Sequence, residues 1–246
     1  VSCLLFNLAI EPLATALRAS TLHGIVIPGG TERLITTLFA DDTTVYLSVH
    51  DDYSTLTGIL ERWCDASRAK FNTSKTEHIP IGSPTTRLAF AETRTAPGSV
   101  LLLPPAAKVA ADGQSVRILG AWVGNNLDLC AAWRPIIETV RVNLTRWNAR
   151  KPTLYGRKLI IALEVGSRTQ FLAMAQGMPP AIERELIQLT ATFLNGMTST
   201  RSPVSRDIMY TAIADGGLNL LDLASRNRAI ELMLLKAYLN IHPSRP

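Results

Sequence analysis

Leu34-Ile35-Thr36-Thr37-Leu38-Phe39, then Ala40-Asp41-Asp42, then Thr43-Thr44-Val45-Tyr46-Leu47-Ser48-Val49 is the stretch on which the reading of the fold turns. Both outer runs are apolar and rich in β-branched residues, the composition of half-buried strands. Only three residues separate them, so they are predicted to form a β-hairpin with a very tight connection. Such a hairpin brings Asp41 and Asp42 to one end of a sheet, with buried strands on either side to hold them rigid.

Working outward, residues 2–19 carry Leu4, Leu5, Leu8, Leu13, Ala16 and Leu17 at helical spacing, with Pro12 expected to kink the helix. His23 to Pro28 reads as a short strand closed by the turn signal Gly29-Gly30. Downstream, residues 51–69 return to helical period through Leu56, Ile59, Leu60 and Trp63. Thr76 to Ile81 and Arg117 to Val123 read as further strands, and the Pro-, Thr-, Ala- and Gly-rich residues 83–113 as a surface loop or insertion. Beyond residue 130 the pattern is helical only. Trp133, Ile136, Ile137, Val140, Leu144 and Trp147 make one apolar stripe, and further helices are expected over 156–175, 181–194 and 224–239. Strands in the first half and helices in the second define an α+β chain of two domains, residues 1–128 and 129–246.

Composition narrows the class. Of 246 residues, 47% are hydrophobic and 18% charged, an ordinary globular balance that argues against disorder along most of the chain. No apolar run is long enough to span a bilayer, and the first residues lack the charged flank of a signal peptide. Cys3, Cys64 and Cys130 are odd in number and have no zinc-type spacing, which suits reduced thiols in an intracellular protein. A net charge of +5 fits a polyanionic partner, although many proteins share it.

Two like charges held close favour a compensating cation, and hard carboxylate oxygens select Mg²⁺ or Mn²⁺. Two such ions can activate an attacking hydroxyl and stabilise a leaving pyrophosphate. Aspartate is also a common turn residue that merely satisfies backbone groups, so the pair alone leaves both roles open. A second feature lies in the helical half. From Thr139 to Leu163 no acidic residue occurs, while Arg141, Arg146, Arg150, Lys151, Arg157 and Lys158 fall within eighteen positions, interleaved with Trp147 and Tyr155. Such a segment can hold phosphates and stack an aromatic on a base. The plainer reading is a solvated basic face with Trp147 in the core.

Four segments in order resemble the motifs of reverse transcriptases from LINE-type (non-LTR) retrotransposons. Ser2-Cys3-Leu4-Leu5-Phe6-Asn7-Leu8-Ala9-Ile10-Glu11-Pro12-Leu13 is similar to the helical part of the B motif. Phe39-Ala40-Asp41-Asp42 is similar to the C motif, Lys70-Phe71-Asn72-Thr73-Ser74-Lys75-Thr76-Glu77 to the D motif, and Ile118-Leu119-Gly120 to the E motif. The resemblance covers residues 1 to about 125 and gains its specificity from the order of individually weak motifs.

It implies a partial polymerase palm, an antiparallel sheet with helices, followed by a helical thumb. The implied reaction is Mg²⁺- or Mn²⁺-dependent addition of deoxynucleoside triphosphates to a DNA primer on an RNA template. Asp41 would be a metal ligand and Asp42 its neighbour and support. Lys75 would be the general acid for pyrophosphate, or else a solvated lysine. Asn7 would lie beside template and nucleotide, or else cap or edge the core. Leu119 and Gly120 would shape the primer grip. The family's A motif supplies another metal-binding aspartate from a strand before the B helix. No such residue precedes Ser2, and Asp51, Asp52 and Asp65 follow too late to replace it. The chain is therefore expected to carry an incomplete polymerase site. Its rivals are an inactive element remnant and a non-enzymatic RNA-binding protein on a degenerate palm.

Overall fold

The computed structural model describes residues 2–27, 32–95, 102–198 and 205–239. It is an α+β chain that divides into two compact units, residues 1–119 with 123–127, and residues 120–122 with 128–246. Among the described residues no helix is long and apolar enough to cross a membrane.

In the first unit, α1 (Ser2–Arg18) runs through Pro12. Ile10, Leu13 and Leu17 recur at helical spacing on one face. They form a core with Leu22, with Ile35 from the chain leading into the hairpin, and with Leu56 and Ile59 from α2 (Tyr53–Ser67). The expected stripe begins later than the sequence suggested, because Leu4, Leu5 and Leu8 are exposed. Asp52 caps α2, its carboxylate accepting from the Ser54 amide, and Arg68 ends the helix in the left-handed region. The Trp63 indole donates to the Ala9 carbonyl at 3.2 Å and so ties α2 to α1.

The strands are short and fall into two-stranded sheets. β1 (Ile25–Val26) pairs with β2 (Arg33–Leu34), and β3 (Thr36–Phe39) with β4 (Asp42–Val45), both antiparallel. β5 (Glu77–His78) instead pairs in parallel with β6 (Lys108–Val109). The Gly29-Gly30 turn lies outside the described residues. Residues 83–113, expected as a loop, carry structure of their own. α3 (Pro84–Thr93) starts at a Ser83 cap with Pro84 in its first turn, and Phe90 and Leu103 form a small separate core. The run Arg117 to Val123 is also not one strand. It is β7 (Val116–Ile118) and β8 (Ala121–Val123), joined by Leu119 (φ 49°) and Gly120 (φ 86°). Two consecutive residues of positive φ are what a tight hairpin turn requires, and Leu119-Gly120 hides that signal because leucine is rare there.

The second unit is helical. α4 (Arg134–Asn148) buries Ile137, Val140 and Leu144 beneath Trp133, which is fully enclosed. Facing them are Ile160 and Ile161 of α5 (Leu154–Ile161), Leu172 and Ala173 of α6 (Arg168–Gln176), and Ile182, Leu186 and Phe193 of α7 (Pro180–Leu194). Met209 of α8 (Arg206–Tyr210), Leu220, and Leu223 of α9 (Leu223–Leu239) complete the cluster. The helix expected over 156–175 is interrupted by a π-helical stretch at Ala162–Ser167. Such a wide turn leaves carbonyls short of their usual donors. Arg226 of α9 supplies one, donating from Nη1 to the Gly166 carbonyl at 3.1 Å and to Thr169 Oγ1 at 2.9 Å.

Candidate functional site

The β3–β4 register pairs Thr36 with Val45, Thr37 with Thr44, Leu38 with Thr43, and Phe39 with Asp42. The connection is therefore two residues long, Ala40 and Asp41, and Asp42 already belongs to β4. Ala40 takes the left-handed conformation the turn needs (φ 51°), at a cost that glycine would avoid. Adjacent in sequence at the tip, Asp41 and Asp42 are both exposed. The flanks are less enclosed than expected. Thr36 is buried, but Phe39, directly opposite Asp42, is 67% exposed. Strand alternation is the reason, since a two-stranded sheet with one covered face leaves every second side chain in solvent.

Rigidity comes from the other end of the hairpin, through a residue that sequence reasoning passed over. Asp51 is 2% exposed and lies just before α2. Its Oδ1 accepts from the His23 backbone amide at 2.6 Å and pairs with His23 Nδ1 at 2.9 Å. Its Oδ2 accepts from the amides of Gly24 at 3.0 Å and Ser48 at 2.7 Å. Burial pushes the carboxyl up, but the amides of His23 and Ser48, the His23 ring and the Gly24 amide outweigh it, leaving the pKa below its ordinary value. One carboxylate thus fixes the entry to β1 against the exit from β4. Gly24 is held just as closely, since a Cβ there would lie 2.4 Å from the Leu34 carbonyl oxygen. In the sequence, Asp51-Asp52 looks no different from Asp41-Asp42. Only the fold separates a buried tie and helix cap from an exposed pair.

Asn7 is exposed on α1, and Lys75 is exposed at the end of a single 3₁₀ turn, Thr73–Lys75. Asn72 organises that turn, accepting from Ser74 Oγ at 2.6 Å and, through its carbonyl, from Thr76 Oγ1 at 3.2 Å. Phe71 anchors it against Trp63, the rings 5.6 Å apart. Among the described residues no hydrogen bond or ion pair joins Asn7 or Lys75 to the hairpin tip, nor do three or more His, Cys, Asp or Glu side chains cluster for a metal. The tip offers two hard-oxygen donors open to solvent. That fits Mg²⁺, which takes one or two carboxylates and completes its shell with water and substrate phosphates. Leu119, the last residue of the first unit before Gly120, is exposed, while Gly120 in the second unit sits against the Phe171 ring, which a Cβ would meet at 2.8 Å.

The basic segment divides by geometry. Arg141 is occupied, bonded to Glu185 at 2.7 Å and close to Glu138, three residues earlier, at 3.5 Å, so acids outside the segment do offset this cluster. Arg157 is an internal brace. It donates to Asn148 Oδ1 at 2.8 Å and the Phe193 carbonyl at 2.6 Å, and lies over the Phe193 ring. Lys158 rests over Tyr155 at 5.5 Å. Arg146, Arg150 and Lys151 are exposed. Trp147 leaves the apolar stripe to which its spacing assigned it and is 41% exposed. Its indole donates at 3.3 Å to Glu164, a buried carboxylate on the π-helical stretch. Glu164 also accepts from Asn143 Nδ2 at 2.8 Å and Arg168 Nε at 2.6 Å. Burial raises its pKa, but these donors and the Arg168 charge bring it below the ordinary value. The available clue was an acid on the apolar face of a helix, between Ile161 and Val165.

Over 248 aligned residues, 98% of this chain, the sequence is 23% identical to the Transposon TX1 uncharacterized 149 kDa protein of Xenopus laevis. The chain spans 17% of that protein's length. No family model matches.

Proposed function

We propose that this chain derives from a retrotransposon and is a portion of a reverse transcriptase of the LINE type, comprising part of the palm and a helical thumb. The observation that carries the reading is the Asp41-Asp42 pair at the two-residue apex of an antiparallel hairpin. It is supported by the order of the B, C, D and E motif resemblances and by similarity along nearly the whole chain to a transposon protein.

In this reading Asp41 and Asp42 would hold Mg²⁺ or Mn²⁺ at the tip, which when bound would supply Lewis-acid activation of a primer 3′-hydroxyl and charge stabilisation for pyrophosphate. The chain's own part is to hold both carboxylates on a short turn whose far end is pinned by Asp51. Lys75 Nζ gives a proton to the pyrophosphate oxygen as it leaves. The Leu119-Gly120 turn approaches the primer with backbone, and Asn7 lies beside the template base. Arg146, Arg150 and Lys151 contact phosphates of the bound template or primer strand.

The test is primer extension by the longest open reading frame that contains these residues. RNA-templated incorporation of deoxynucleotides that needs Mg²⁺ or Mn²⁺ and stops with a chelator is the expected result. Nucleic-acid binding without incorporation would favour a non-enzymatic RNA-binding protein instead.

A further inference from the structure

α4 carries Asn143, Arg146 and Trp147, and Arg150 follows in the turn after its C-terminus, so the four recur at i, i+3, i+4 and i+7 beside the buried stripe of Ile137, Val140 and Leu144. With Glu164 they line a surface cavity of about 360 Å³ within the second unit. It is a depression open to solvent rather than an enclosed site. Its chemistry is unusually matched. A half-exposed indole is held by its N–H on a buried carboxylate, so the ring cannot rotate freely, and two guanidinium groups flank it one helical turn apart. The Glu164 charge is offset by Arg168, whose Nε lies 2.6 Å from its carboxylate.

We infer that this cavity receives one unpaired nucleotide of a single strand, the base stacking on Trp147 and its flanking phosphates lying against Arg146 and Arg150. The π-helical stretch carries Glu164, whose buried carboxylate accepts from the indole N–H at the edge of the ring. A stacking platform of this kind is indifferent to base identity, because every base has a π-face, whereas a fully paired duplex hides its bases from it. The inference rests on the nucleic-acid partner proposed above, but it concerns strand state and requires no polymerase chemistry.

The experiment uses the whole 246-residue chain. Intrinsic fluorescence and anisotropy are followed with four probes of equal length: oligo(dT), oligo(U), an abasic deoxyribose-phosphate strand, and a blunt RNA–DNA duplex. The first two are expected to quench tryptophan emission and to bind roughly ten- to a hundred-fold more tightly than the abasic strand, the range associated with one stacked base. Trp147→Ala should lose that advantage and the quench, while Trp147→Phe keeps part of the affinity. Circular dichroism and thermal melting establish that each variant is folded. Arg146→Gln with Arg150→Gln should weaken all strands alike and reduce the salt dependence. Equal binding of abasic and dT strands, or equal quenching by the duplex, overturns the inference and leaves only phosphate contacts. Failure here would not touch the hairpin reading, which is scored by nucleotide incorporation.

Discussion

Asp51 is the residue whose loss should do most damage in the first unit. Four donors converge on its carboxylate, and an amide keeps one accepting oxygen but loses the charge and turns an NH₂ group toward the donors of the other. Asp51→Asn should cost about 3 kcal/mol, the usual scale for stripping one partner from a buried charge network, measurable as a fall in the denaturant midpoint. The pH dependence follows from the direction of its shift. Its folded pKa lies below the ordinary carboxylate value, so its contribution is fully present above pH 3.8 and is lost as pH falls through the folded pKa. Acid unfolding of the wild type should therefore flatten in Asp51→Asn over that window. Unchanged acid profiles would show that the carboxylate holds nothing. In the second unit the equivalent point is Gly217, where a Cβ would lie 2.1 Å from the Thr211 carbonyl oxygen. Gly217→Ala cannot be relieved by a side-chain rotation, and should cost about 1–3 kcal/mol as overpacking with a lower melting temperature.

At the scale of elements, the hairpin and α4 carry the functional argument. Replacing Ala40 by glycine removes a left-handed alanine, so Ala40→Gly should leave stability unchanged or raise it by up to about 1 kcal/mol, against the usual cost of adding glycine. A clear loss would mean that the turn is not the one described. On α4 and the residues after it, reversing Arg146, Arg150 and Lys151 to Glu should weaken unrelated sequences by similar factors, because phosphates carry no sequence information. The slope of log affinity against log salt should shrink by about 0.9 per lost contact on B-form duplex, and less on single strands. Identical slopes would remove this segment from the interface. Much of this level was legible in the sequence. The hairpin, α1, α2, α4, α7 and α9 follow from apolar periodicity. What escaped was order set by single groups rather than by period. The Ser83-Pro84 start of α3 was masked by a loop-like composition. The Leu119-Gly120 turn was hidden by an apolar residue of positive φ. The π-helical stretch was not legible either, and one of its carbonyls, that of Gly166, takes its donor from Arg226, 60 residues away in sequence.

For the whole molecule, two compact units with separate cores agree with an α+β chain, and the exposed acidic tip and exposed basic helix face lie on different units. Sequence alone placed every basic residue of 141–158 in one binding cluster. Folding divides them, because Glu185 comes to Arg141 and the Phe193 carbonyl to Arg157, contacts that charge counting along the chain cannot register. The central claim is that the Asp41-Asp42 tip belongs to a nucleotidyl-transfer site. Its most direct test compares wild type with Asp41→Asn in RNA-templated primer extension, using the longest open reading frame containing these residues. Both carboxylates are exposed, so the variant should fold with an unchanged melting temperature. The expected result is a fall in extension rate of at least about a thousand-fold, since a removed metal carboxylate forfeits about 4 kcal/mol of transition-state stabilisation. A folded Asp41→Asn protein that extends primers within a few-fold of wild type would contradict it.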